Sequence, residues 1–162
     1  LPSLYGGRLH PTVRGLQDLP KGIKSVTTLD DCKIIQFPAM KRPNGKLTAV
    51  HGNKEVPFEI RRVYYLYDLP GGESRRGSHA HLELEQLLVC IMGSIDVVLH
   101  DGKEKKKTTL HRANQGLLLP KMIWRDLGNF SSGAICLVLA SQPYDEKDYI
   151  RDYDEFLKRK AR

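Results

Sequence analysis

The pattern of apolar and polar positions is dominated by short extended runs. From Cys32 onward, strand-like stretches recur over 33–37, 46–50, 59–67, 85–92, 95–100, 108–111, 116–119 and 134–141. Turn signals separate them, among them Pro43-Asn44-Gly45, Pro70-Gly71-Gly72, Asp101-Gly102 and Ser131-Ser132-Gly133. Many short strands with frequent turns predict an antiparallel sandwich or barrel. The rhythm changes only near the end. There Tyr149, Ile150, Tyr153, Phe156 and Leu157 recur at helical spacing, Asp145 can cap the segment, and Lys158, Arg159 and Lys160 close it. One amphipathic C-terminal helix is expected. Residues 1–30 lack clean periodicity and read as an arm or linker preceding a single domain over 31–162.

Composition narrows the class. With 162 residues, 40% hydrophobic and 28% charged, the chain can bury one core and is not globally disordered. It has no apolar run of membrane-spanning length, and its first thirty residues lack a cationic stretch followed by an apolar one. Neither a membrane association nor a secretory leader is expected. Cys32, Cys90 and Cys136 are odd in number, and the last two sit in apolar runs. They read as reduced core thiols of a cytoplasmic protein. The formal charge of +7 admits an anionic partner. Its densest run, 103–107, is expected on an exposed hairpin connection, without the aromatic groups or recognition helix of a nucleic-acid site.

Candidate chemistry lies elsewhere. His10, His51, His100 and His111 stand alone, whereas His79 and His81 are two apart. On an extended segment they share one face. Arg62 and Tyr64 share a face of the preceding strand, Gln86 opens the next, and Trp124-Arg125 follows Pro120 at another strand end. A barrel could gather all of these at one mouth.

The order Gly77, His79-x-His81, Gln86, Gly93, then Gly116, Pro120 and Asn129 resembles the paired motifs of the cupin superfamily. That resemblance implies an all-β fold: a cupin jelly-roll β-barrel with a short C-terminal α-helix. Metal-binding cupins add a Glu and a third His. Gln86 and Arg125 stand in those places here, and a guanidinium repels a cation. A pocket without metal or other cofactor is expected, suited to moving a proton on an anionic keto compound.

Longer strings carry a closer resemblance, to the nucleotide-sugar 3,4-ketoisomerases. They include Pro57-Phe-Glu-Ile-Arg-Arg-Val-Tyr-Tyr65, Arg76-Gly-Ser-His-Ala-His81, Phe130-Ser-Ser132 and Tyr144-Asp-Glu-Lys-Asp-Tyr-Ile-Arg-Asp-Tyr153. The resemblance spans about residues 32–158. It implies an isomerase acting on dTDP-4-dehydro-6-deoxyglucose, feeding 3-amino-3,6-dideoxy sugars of bacterial surface polysaccharide such as lipopolysaccharide O-antigen. It implies His79 as the base at sugar carbon 3, and His81 as the group that moves a proton between the oxygens or polarises the carbonyl. Arg62, Tyr64, Arg76, Gln86, Trp124 and Arg125 are the implied substrate-binding residues. Arg125, where the family has His or Arg, leans towards a gluco-configured product, while Asn44 matches neither branch. The resemblance also implies a homodimer with exchanged strands. A metal-dependent cupin enzyme and a silent nucleotide-sugar-binding cupin remain the alternatives.

Overall fold

The structure, a computed structural model, describes residues 26–72 and 74–161. Most of the 1–30 arm lies outside the described residues. Its end belongs to the domain: Leu29 is buried in the core, opens a 3-10 turn at Leu29–Asp31, and donates its N–H to Asp101 Oδ2 at 3.2 Å.

Among the described residues twelve strands follow: β1 (Ile34–Gln36), β2 (Met40–Arg42), β3 (Gly45–Leu47), β4 (Arg62–Leu66), β5 (Arg76–His81), β6 (Gln86–Met92), β7 (Ile95–His100), β8 (Lys105–Leu110), β9 (Gln115–Leu119), β10 (Trp124–Gly128), β11 (Ile135–Ala140) and β12 (Tyr149–Ile150). They form two five-stranded antiparallel sheets, ordered β1-β9-β6-β11-β4 and β12-β5-β10-β7-β8, with β2 and β3 as a separate hairpin. Among the described residues the ladders of the two sheets do not join, and the sheets pack face to face as the two layers of the expected jelly-roll.

Why these runs become strands follows from burial on two faces. In β6, Leu88 and Cys90 point between the sheets, while Leu87 and Val89 pack outward under Phe37, Val56 and Phe58. A strand covered on both sides reads as a continuous apolar run, as 87–91 does. The inner layer joins Leu88, Cys90, Cys136 and Val138 to Ile95, Val97, Leu99 and Leu127 of the other sheet. All three cysteines are free and buried. Burial pushes the Cys32 and Cys136 thiols up to about 12, which keeps them inert.

The C-terminal segment departs from its sequence pattern. Asp145 caps a 3-10 turn over Glu146–Asp148, accepting from Lys147 N, and not the helix. The helix, α1 (Tyr153–Lys160), starts later with Asp152 as cap, its carboxylate accepting from Glu155 N at 2.7 Å. Tyr149 and Ile150, apolar at helical spacing, are extended instead. They pair with His81 and Ala80 and so cover the free edge of β5. A tertiary ladder here overrides a local period. The basic run also shifts: Lys105–Lys107 lie inside β8, an edge strand whose exposed lysines discourage further pairing. Short periods likewise hide β2 and β10, and 46–50 contributes only the arm of a hairpin. Among the described residues no helix is long and apolar enough to cross a membrane.

Phe156 is fully buried and anchors α1 on Ala80, Trp124 and Ile150. Phe156→Ala is expected to cost about 3–5 kcal/mol of folding stability, measured by the denaturant midpoint. A shift under about 1 kcal/mol would mean the helix does not bind the sandwich as described.

Candidate active site

Alternation along the strands builds one cavity between the sheets. Arg62, Tyr64 and Leu66 point inward from β4, and Gln86 and Leu88 from β6. From the opposite sheet come Arg76, Gly77 and His79 of β5 and Arg125 and Leu127 of β10. The cavity holds about 410 Å³, and among the described residues no carboxylate lines it.

A bulge aims the key imidazole. Arg125 faces His79 across the ladder while Asp126 faces Gly77, which leaves Ser78 as the extra residue. Gly77 and Ser78 both have positive φ, 85° and 52°. A Cβ on Gly77 would lie 2.9 Å from the Arg125 carbonyl oxygen, so only glycine fits. Ser78 is held in its uncommon conformation by a 2.6 Å hydrogen bond to Asp126 Oδ1. The result turns the Gly77 carbonyl towards His79, whose Nδ1 lies 2.9 Å away. That leaves Nε2 for chemistry.

His79 and His81 meet edge to face, with their Nε2 atoms 3.2 Å apart. Only His79 lines the cavity. His81 is 1% exposed and sits behind it, with Nδ1 2.9 Å from Asp148 Oδ2. The resemblance implies that His81 meets the sugar oxygens, and the packing places its ring behind His79, off the cavity wall. Burial, and after it the Arg125 guanidinium, lower the pKa of both rings, that of His79 to about 4. At neutral pH His79 is an uncharged base.

Arg125 is buried and donates to two neutral acceptors, the His79 carbonyl oxygen at 2.9 Å and Gln86 Oε1. Burial lowers its pKa to about 10, which still leaves it cationic at neutral pH. Gln86 Nε2 donates to the Tyr64 oxygen at 2.8 Å, so the Tyr64 hydroxyl hydrogen remains free to point at a ligand. Burial raises the Tyr64 pKa and keeps that hydrogen in place. Arg62 lies over the Tyr64 and Tyr144 rings, yet its Nε and Nη2 are buried without a partner among the described residues. Among the described residues none of Arg62, Arg76 and Arg125 forms a salt bridge. A cavity lined by guanidinium groups that lack carboxylate partners, as Arg62, Arg76 and Arg125 do, calls for an anion.

One expected residue is elsewhere. Trp124 points to the opposite face of β10, because its neighbour Arg125 points inward. It packs on Tyr153 and Phe156 and donates to Asp126 Oδ2 at 3.2 Å, outside the cavity wall. Three residues that the pattern assigns to a helix or to no role line the cavity instead: Tyr144, Tyr149 and Arg151. Tyr149 lies tilted against both imidazoles, with centroids 4.9 and 4.3 Å away, and the Arg151 guanidinium lies over the Tyr149 ring. Only the string 144–153, carried by the resemblance, signalled this segment.

Comparison with known proteins agrees with this geometry. The family described as "FdtA: WxcM-like, C-terminal" matches residues 30–161. The TDP-4-oxo-6-deoxy-alpha-D-glucose-3,4-oxoisomerase of Aneurinibacillus thermoaerophilus is 46% identical over 126 residues, 78% of this chain and 90% of that protein. The crystal structure of the WlaRB TDP-quinovose 3,4-ketoisomerase from Campylobacter jejuni is 50% identical, with a TM-score of 0.76 over 79% of this chain and 98% of that one. The 3,4-ketoisomerase QdtA from Thermoanaerobacterium thermosaccharolyticum, as a histidine-to-asparagine variant with TDP-4-keto-6-deoxyglucose, is 36% identical. Its TM-score is 0.79 over 82% of this chain and 95% of that one. A match across nearly the whole described domain, joined to an imidazole pair in an arginine-lined cavity, makes the chain a member of the FdtA family of sugar 3,4-ketoisomerases.

Proposed function

We propose that the chain converts dTDP-4-dehydro-6-deoxy-D-glucose to a dTDP-3-dehydro-6-deoxyhexose by cofactor-free proton transfer. The observation that carries this is the uncharged His79 imidazole on the wall of a cavity where Arg62, Arg76 and Arg125 have no carboxylate partner among the described residues. The diphosphate meets Arg62 and Arg76, and the sugar ring lies against His79. The His79 Nε2 lone pair takes the hydrogen on carbon 3 as a proton. The electrons of that C–H bond form the C3=C4 double bond, and the carbon 4 carbonyl becomes an enediolate oxygen. Arg125 and the free Tyr64 hydroxyl face the cavity where this negative charge grows and stabilise it. The proton held on the His79 imidazolium exchanges with solvent before one is delivered to carbon 4, and transfer of the hydroxyl proton from oxygen 3 to oxygen 4 then gives the 3-keto product without net redox change.

The donor set supports a reaction without a metal. The two Nε2 atoms face each other, and the residues in the other two ligand places, Gln86 and Arg125, are hydrogen-bonded together. Arg125 supports the gluco configuration at carbon 4, hence a quinovosamine-type surface polysaccharide precursor made in the cytoplasm. A homodimer completes the reading. Its support is the β2–β3 hairpin, which joins neither sheet and exposes Met40 and Leu47, as strands exchanged with a second copy would.

The deciding experiment is NMR of the product formed from dTDP-4-dehydro-6-deoxyglucose in heavy water. A 3-keto sugar carrying deuterium at carbon 4, gluco-configured, is expected. Unchanged substrate would reduce the chain to a binding module, and a galacto product would overturn the stereochemical reading alone. His79→Asn is expected to lower kcat by at least about 10³-fold while the protein stays folded; parental turnover in that variant would remove the base from the mechanism. The base must be uncharged, so activity is lost as pH falls through the pKa of His79 in the folded enzyme, about 4. A pH profile of kcat/KM that stays flat down to about pH 5 agrees with this; an acid limb near an ordinary imidazole value, about 6.5, contradicts it.

A further inference from the structure

We propose that Asp148 is a positioning residue for the reaction: its carboxylate fixes the ring hydrogen of His81 on Nδ1, so that both Nε2 atoms are bare and the histidine pair has room for one proton between them. The inference deepens the isomerase reading and rests on it.

Four groups stand in a row, and their ring hydrogens can be counted. At one end His79 Nδ1 lies 2.9 Å from the Gly77 carbonyl oxygen, which can only accept. At the other end His81 Nδ1 lies 2.9 Å from Asp148 Oδ2. That carboxylate already acts as an acceptor, taking the backbone N–H of Glu83 at 2.7 Å on Oδ1 and that of Leu84 at 3.3 Å on Oδ2. Each Nδ1 therefore carries a hydrogen. Between the rings, the two Nε2 atoms face each other at 3.2 Å, a distance suited to one N–H···N bond. The row thus has three places for ring hydrogens, and two uncharged imidazoles bring two. The third place is filled when His79 takes the proton from carbon. The row is complementary to the intermediate and not to the resting state, which is the direction that accelerates a reaction. The new positive charge then lies one ring away from a carboxylate, beside a cavity whose charged side chains are arginines.

Asp148 is well built for this task. It is 11% exposed, and it ends the short turn that Asp145 caps, immediately before β12. The backbone of Asp148 is fixed too, because its carbonyl oxygen accepts from Leu82 N at 2.9 Å, just past the end of β5. An amide in its place could donate to His81 Nδ1. The ring hydrogen would then move to Nε2 and bond to His79 Nε2, blocking the base.

The test is Asp148→Asn, read in two ways. Ring-nitrogen NMR of histidine-labelled protein without substrate is expected to show His81 protonated at Nδ1 in the parent and at Nε2 in the variant. With dTDP-4-dehydro-6-deoxyglucose, kcat is expected to fall about 10²-fold or more, while KM and the affinity for dTDP stay within about threefold. Asp148→Glu, which keeps the charge, should recover part of the kcat. An unchanged His81 tautomer, a kcat within threefold of the parent, or a loss of dTDP binding equal to the loss of kcat would each overturn the proposal, the last by showing a merely structural role. The tautomer is read without turnover. An inactive parent enzyme would defeat the isomerase reading and leave the Asp148 result standing.

Discussion

The buried guanidinium of Arg125 is the constraint on which the site depends. It projects from β10 of one sheet, reaches Gln86 of the other, and bonds the backbone of His79 on the way. A cation removed from water is costly unless its hydrogen bonds are met, and here they are met by neutral partners only. Its charge is therefore left to act on the cavity. It lowers the basicity of both imidazoles, attracts an anionic ligand, and occupies the place where a metal-binding relative would supply a ligand.

The rest of the site is arranged around that charge. The bulge at Gly77 and Ser78 turns His79 towards the cavity and supplies the carbonyl that holds its Nδ1. On the far side, β12 and the turn before it close the edge of β5, bringing Tyr149 against both rings and Asp148 behind His81. The positive cavity and the carboxylate behind it make a gradient: anions are favoured in front of His79, and a proton is favoured behind it. The same short segment that protects a sheet edge thus also sets the electrostatics of the histidine pair.

How far the sequence reveals this differs by element. The sandwich was legible because two-sided burial writes long apolar runs into β6, β7 and β11. The pairing of His79 with His81, and of Arg62 with Tyr64, follows from a period of two and needs only that the segments be extended. Trp124 was misplaced by the same rule: adjacent residues on one strand cannot both enter one cavity, and Arg125 takes the inward place. Tyr149 and Ile150 fit a helical period and fold as a strand, since the edge of β5 offers hydrogen bonds that a longer helix would not. Asp148 was invisible because its partner, His81, is 67 residues away, and a lone carboxylate in a charged stretch carries no pattern.

The central claim is that imidazole, and not a metal ion, moves the proton. Enzyme stripped of divalent ions by chelation, with its metal content verified by mass spectrometry, is the direct test. Undiminished conversion of the keto sugar by metal-free protein is the predicted result. Loss of conversion that iron, zinc or manganese restores would contradict it.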